Sequence, residues 1–235
     1  MQSRMQIFDD NFKIIKENIM SAAEKSGRKA EDITLLAATK TVPVEVINHA
    51  IAAGLRVIGE NRVQEFLSKY DELDKQNCEM QLIGKLQTNK VKYIIDKVSM
   101  IQSVDSVKLA KEISTQALKR DLTMDILLEV NIGREESKSG VMPEQIYEIL
   151  DEIRLFPAIS VKGLMAIPPI CDDNTQLSAY FSSMRQYYVD ILEKKLDNIS
   201  MQQLSMGMSD DYVQAIENGA TTVRIGSALF GRRSY

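Results

Sequence analysis

Lys40 closes the apolar run Thr34-Leu35-Leu36-Ala37-Ala38-Thr39, and its amine can do a chemistry that few side chains offer. A neutral lysine amine attacks an aldehyde or ketone to form an imine, and partial burial favours that neutral form. A second group of residues lies near the other end of the chain. Gly207 and Ser209 precede the helical pattern Asp210 to Glu217, and Gly226 and Ser227 precede the turn Ala228 to Phe230. Free backbone N–H groups at a helix start, beside small side chains, hold phosphate. Arg224 stands inside the apolar Val223-Arg224-Ile225, where a guanidinium is costly without a partner. It either pairs with a structural carboxylate or donates to an acceptor on a ligand. Each feature also has a plain alternative: lysines are mostly exposed, and glycine and serine are common caps.

For these residues to act together, the elements between them must bring the two ends of the chain side by side. Short apolar runs predict strands at Thr34 to Thr39, Arg56 to Gly59, Met80 to Gly84, Ser99 to Ser103, Met124 to Asn131, Ser160 to Ala166, Met201 to Met206 and Thr222 to Gly226. Helical patterns alternate with them at Val44 to Ala53, Arg62 to Asp74, Asn89 to Asp96, Val107 to Lys119, Pro143 to Arg154, Thr175 to Leu196 and Asp210 to Glu217. Before the first strand, Met5, Phe8, Phe12, Ile15, Ile19 and Ala22 recur at helical spacing up to Gly27, a C-terminal cap residue. Eight strands alternating with helices predict an α/β fold: a single (β/α)8 TIM barrel with an extra N-terminal helix packed outside it, spanning residues 1–235. The competitor is an open doubly wound sheet, disfavoured because no Gly-x-Gly-x-x-Gly follows the first strand.

Composition narrows the partners. A net charge of −4 in 235 residues offers nucleic acid no general attraction, and no basic stripe with interleaved aromatics occurs. Cys78 and Cys171 are too few for a disulfide framework and too far apart for a CxxC pair, which makes a reducing cytosol the simplest compartment. No signal-peptide core follows Met1, and no apolar run approaches membrane-spanning length. The single histidine, His49, lies in a short helical pattern, which leaves no histidine metal cluster and no Ser/His/Asp triad.

A barrel of this kind builds its site at the carboxyl ends of the strands. That rule selects Lys40, Asn61, Gln87, Ser103, Asn131, Met165, Ser205, Gly207, Ser209, Arg224, Gly226 and Ser227. Phosphate at the last two βα units is recurrent in this fold. A lysine, a phosphate cradle and a strand-borne arginine at one mouth match pyridoxal 5'-phosphate: an aldehyde for the amine, a phosphate for the helix starts and a pyridine nitrogen for the polar group.

Five motifs then occur in order: Ala37-Ala38-Thr39-Lys40, Gly59-Glu60-Asn61, Ile83-Gly84-Lys85-Leu86-Gln87-Thr88-Asn89-Lys90, Ser205-Met206-Gly207-Met208-Ser209-Asp210 and Val223-Arg224-Ile225-Gly226-Ser227. The chain closely resembles the pyridoxal phosphate homeostasis proteins, the YggS/PROSC group, over almost its whole length. That resemblance implies a barrel like the amino-terminal domain of alanine racemase, with the cofactor on Lys40 and a part in vitamin B6 balance. The cofactor-binding set expected is Lys40, Asn61, Met206, Gly207, Ser209, Arg224, Gly226 and Ser227, with no catalytic or metal residue. One departure is that members commonly carry an aromatic and a histidine before the Ile-Gly pair, where this chain has Met80-Gln81-Leu82-Ile83. Lys85 and Lys90 read either as a basic rim or as solvated lysines.

Three functions follow from these residues. The first is a cytoplasmic, monomeric protein that holds pyridoxal phosphate as a Lys40 imine and delivers it, with apo enzymes as recipients and neither nucleic acid nor membrane as partner. The second is an amino acid racemase. In alanine racemase a tyrosine reaches the site with the help of an added β domain, and this chain ends at Tyr235, immediately after the barrel, which weighs against racemisation. The third is a protein-interaction module on an inert barrel, which predicts no bound chromophore.

Overall fold

The computed structural model describes residues 3–171 and 173–231; Tyr235, on which the argument from the chain end rests, lies outside them. Eight strands form a closed parallel barrel in sequence order: β1 (Thr34–Ala38), β2 (Val57–Glu60), β3 (Glu79–Leu82), β4 (Met100–Val104), β5 (Met124–Val130), β6 (Ile159–Ala166), β7 (Ile199–Ser205) and β8 (Thr222–Ile225). Closure is made by β1 pairing with β8, Leu36 opposite Arg224 and Ala37 opposite Ile225. That pairing brings the Lys40 and Arg224 segments together and excludes an open sheet.

The surrounding helices are α1 (Arg4–Lys25), α2 (Val44–Ala52), α3 (Val63–Lys69), α4 (Val107–Leu118), α5 (Ile146–Ile153), α6 (Asn174–Lys194), α7 (Tyr212–Glu217) and α8 (Ser227–Phe230). As predicted, α1 packs outside the barrel. Ser3 caps it by accepting from the Gln6 N–H at 3.1 Å. Phe8 stacks on Phe12 and on Phe230 of α8, with ring centroids 5.0 and 5.5 Å apart, and Asn11 donates to the Leu229 carbonyl. Two helical expectations are corrected. Asn89 to Asp96 forms no α-helix but a 3-10 segment, Thr88–Tyr93, and the pattern Arg62 to Asp74 ends as α-helix at Lys69, followed by a 3-10 turn, Tyr70–Glu72. Val91, Ile94 and Ile95 are β-branched, which costs rotamer freedom in an α-helix and leaves a short segment without reason to lengthen.

Alternate residues of each strand face opposite ways. Outward-facing Ala37, Ile58, Leu82, Ile101, Ile126 and Val223 join the main core beneath the helices. Inward-facing residues form two small clusters, Leu36 with Val57 and Ile83, and Met100 with Leu127 and Met165. At Gly163 a Cβ would stand 1.7 Å from the Gln203 carbonyl oxygen, so only glycine lets β6 lie this close to β7.

Candidate functional site

The carboxyl ends of β1, β2, β3 and β8 meet at one mouth. β1 ends at Ala38, and Thr39-Lys40-Thr41 turns away from it, with Thr39 fully buried and Lys40 exposed. The sequence predicts partial desolvation at Lys40; its side chain is exposed instead, beyond the buried Thr39 that follows Ala38, the last paired residue of β1. Thr39 is fixed by its N–H on the Gly59 carbonyl at 3.0 Å and by its hydroxyl, which donates to Glu60 Oε1 at 2.8 Å. Thr41 has φ +64°, a left-handed conformation costly for a β-branched residue. Asn61, just past β2, is half-buried, and its Oδ1 has no hydrogen-bond donor among the described residues. Gly84 lies directly on it: a Cβ there would stand 2.3 Å from the Asn61 carbonyl oxygen.

On the opposite side of the β1 end, Gly226 packs against β1, where a Cβ would meet the Ala38 carbonyl oxygen at 3.2 Å. Ser209 Oγ accepts from the N–H groups of Gly226 at 3.3 Å and Ala228 at 3.1 Å. An oxygen therefore already bridges two N–H groups at the start of α8, in the way a phosphate oxygen would. Ser227 between them is exposed. Gly207 takes φ +91°, which turns the chain out of β7, and its carbonyl accepts from the Arg224 N–H at 2.9 Å. Met206 is fully buried in the main core with its N–H on the Thr222 carbonyl, supporting this segment from beneath.

Arg224 is buried and points into the barrel. It donates to Ser205 Oγ at 2.6 Å and to the Ala166 carbonyl at 2.8 Å, so a hydroxyl and a carbonyl hold it, and no carboxylate pairs with it among the described residues. Burial lowers its pKa to about 10, against the pull of Glu129 and Asp211, and it stays charged at neutral pH. Ser205 in turn donates to Gln102 Oε1 at 2.7 Å, and Gln102 donates to Gln81 Oε1 at 2.7 Å. This polar row was not foreseen from sequence. Its signal was available in the polar residues at inward positions of otherwise apolar strands.

Glu129 is a second inward-facing group that the sequence reading passed over. It follows Leu127 by two residues, pairs across to Met165, and is 8 % exposed. Burial and the nearby Asp105 push its pKa up to about 7, against the pull of Arg224 and Lys85. Between an unfolded value near 4.5 and that of the fold, the native state keeps a proton the unfolded chain has lost. Stability therefore falls as pH rises through this window and stays lower above it. Glu129→Gln should remove the dependence: about 2–3 kcal/mol more stable than the parent at pH 8, and nearly equal near pH 4.5. Urea unfolding of the cofactor-free protein at both pH values measures this, and a difference that did not change with pH would refute it.

The remaining selected positions have local duties. Ser103 donates to the Gly84 carbonyl at 2.7 Å, and Asn131 folds its loop by bonding the backbone of Glu135 in both directions. Gln87 and Asn89 are exposed, as is Lys85, while Lys90 is half-buried. Among the described residues no group of three or more His, Cys, Asp or Glu could hold a metal. The Cys78 thiol is pushed up to about 11 by burial, away from reactive thiolate character.

A closed parallel barrel whose first strand delivers a lysine and whose last two βα units form an N–H cradle defines a class, and residues 11–234 match the model of the alanine racemase amino-terminal domain. A pyridoxal phosphate homeostasis protein of Aquifex aeolicus is 47% identical over 221 residues, covering 94% of this chain and 96% of that protein. The chain belongs to the pyridoxal phosphate homeostasis protein family. The crystal structure of a protein from Bifidobacterium adolescentis superposes with a TM-score of 0.93 at 37% identity, over 97% of this chain and 96% of that one. PipY of Synechococcus elongatus with pyridoxal phosphate bound does so with a TM-score of 0.78 at 32% identity, over 85% and 93%.

Proposed function

We propose that residues 1–235 form a single domain that binds pyridoxal 5'-phosphate on Lys40 and serves vitamin B6 balance in the cytoplasm, storing the cofactor and handing it to apo enzymes. The observation that carries this reading is the Ser209 oxygen bridging the Gly226 and Ala228 N–H groups at the end of β8, the strand that pairs with the one leading to the exposed Lys40. The PLP-bound PipY relative supports it. The bound group supplies an aldehyde carbon and a ring that can take up electrons.

The chain's residues do the rest. Lys40 would hold the group through its amine, which can condense with an aldehyde, giving up its two protons with the carbonyl oxygen as water, and be freed again by hydrolysis. Ser209, Gly226 and Ser227 hold the phosphate, backed by Gly207 and Met206. Asn61 offers an acceptor that has no donor within the protein. Arg224 would donate to the ring nitrogen; a guanidinium has no acceptor, so it would favour that nitrogen unprotonated and the ring a weaker electron sink. That suits holding over turnover. The protein acts as a monomer, and its net charge of −4, together with the lack of any described helix able to cross a membrane, supports small molecules and apo enzymes as its partners.

The racemase reading stays in view because the family model is that of a racemase domain. Incubated with L-alanine, the loaded protein should form D-alanine slowly or not at all, while an added apo enzyme gains activity. A positioned acid or base is worth about 10²–10⁴ in rate, so a protein that racemises with one and a protein that only holds the cofactor are separated by chiral chromatography. Rapid Lys40-dependent D-alanine formation without cofactor transfer would install the racemase instead.

A further inference from the structure

Behind the Lys40 turn lies a compact charged group that nothing in the binding scheme uses. Lys69, the last residue of α3, is almost fully buried, and each of its three N–H donors has an acceptor: the Thr39 carbonyl at 3.0 Å, Glu60 Oε1 at 2.9 Å and Glu65 Oε1 at 2.8 Å. The same two carboxylate oxygens also grip the turn. Glu60 Oε1 accepts from the Thr39 hydroxyl, and Glu65 Oε1 accepts from the Thr41 N–H. The residues on both sides of Lys40 are thus tied to one ammonium group, directly or through one carboxylate, while the Lys40 side chain itself is exposed.

The turn needs holding. Thr41 at φ +64° is in a conformation that a β-branched residue leaves unless its surroundings impose it. The charged group is costly as well: Glu60 is 2 % exposed, its Oε2 has no donor among the described residues, and burial raises its pKa against the pull of Lys69 and Thr39. Buried ion pairs of this kind are poor contributors to stability, and well-packed apolar residues often replace them without loss. Here it fixes a backbone conformation.

We propose that Lys69, anchored by Glu60 and Glu65, is a positioning residue that holds the strained Thr39-Lys40-Thr41 turn in the geometry from which Lys40 Nζ reaches an aldehyde bound at the barrel mouth. The proposal rests on Lys40 being the attachment point. The reacting step is the one written above; Lys69 exchanges no proton with it and acts through the backbone of the turn.

Removing Lys69 alone strands buried carboxylates, so the test uses Lys69→Met/Glu60→Met, which replaces the buried pair by apolar side chains, with Lys69→Arg as the conservative variant. Three quantities are read on folded protein. These are the rate of the borohydride-trapped Lys40 adduct after adding pyridoxal phosphate, the affinity for 4'-deoxypyridoxine 5'-phosphate, which has no aldehyde, and hydrogen exchange at residues 39–42. The double variant should form the adduct about 10–100-fold more slowly and lose protection in the turn, while still binding the aldehyde-free probe within about twofold. Lys69→Arg should recover part of the rate. A parental adduct rate in the double variant, or an equal loss of probe affinity, overturns the positioning role alone. No Lys40 adduct in the parent protein overturns the binding scheme beneath it.

Discussion

Lys40→Ala should abolish the visible band formed on adding pyridoxal 5'-phosphate, together with the adduct fixed by borohydride. The expected loss is complete, because no other lysine follows a barrel strand beside the Gly226 cradle: Lys85 and Lys90 belong to the β3 exit, where Lys85 projects into solvent. Exposed lysines form such adducts weakly with any aldehyde, so the decisive measurement is peptide mass spectrometry after reduction. Placement of the main adduct on Lys85, Lys90 or another lysine would remove Lys40 from its role. Alanine at an exposed turn position leaves the buried Thr39 contacts in place, so folding is expected to be normal.

The phosphate supplies the second large effect. Two N–H groups, of Gly226 and Ala228, converge on the Ser209 oxygen, the position a phosphate oxygen would take. Charge-assisted hydrogen bonds contribute roughly 1.5–3 kcal/mol each, so pyridoxal lacking the phosphate should bind about 10²–10⁴-fold more weakly. Gly226→Val should imitate that loss by filling the gap over the Ala38 carbonyl, which a Cβ would approach to 3.2 Å. Competition titrations followed by absorbance compare the two ligands. Equal affinities for pyridoxal and its phosphate would mean that the cradle is only a helix start capped by Ser209.

The barrel was legible because its strands are short apolar runs at regular intervals and the helices between them carry amphipathic spacing. The 3-10 segment at Thr88–Tyr93 was not, since periodicity in so short a stretch does not separate a 3-10 from an α-helix. At the site, the rule of the strand ends led to Lys40, Asn61, Ser209 and Gly226, which the fold does gather at one mouth. Lys69 was not legible in the sequence: nothing in an i,i+4 Glu65/Lys69 spacing distinguishes a surface pair from a buried one, and only tertiary packing shows that their helix end is pressed onto Thr39. For Arg224 the sequence left two partners open, and the fold supplied neutral ones from β6 and β7.

The row from Arg224 through Ser205 and Gln102 to Gln81 has a mechanical meaning as well. Ladder bonds act like a hoop, joining each stave only to its neighbours, whereas this row runs from β8 and β7 straight across to β4 and β3. In a ring of eight, β4 stands diametrically opposite β8, so the row is a strut across the lumen. A strut resists ovalisation, which the hoop alone permits. The width of the mouth is thereby set by the lengths of four side chains, and a ligand entering it meets an aperture already at its working diameter, with only the loops above left to adjust.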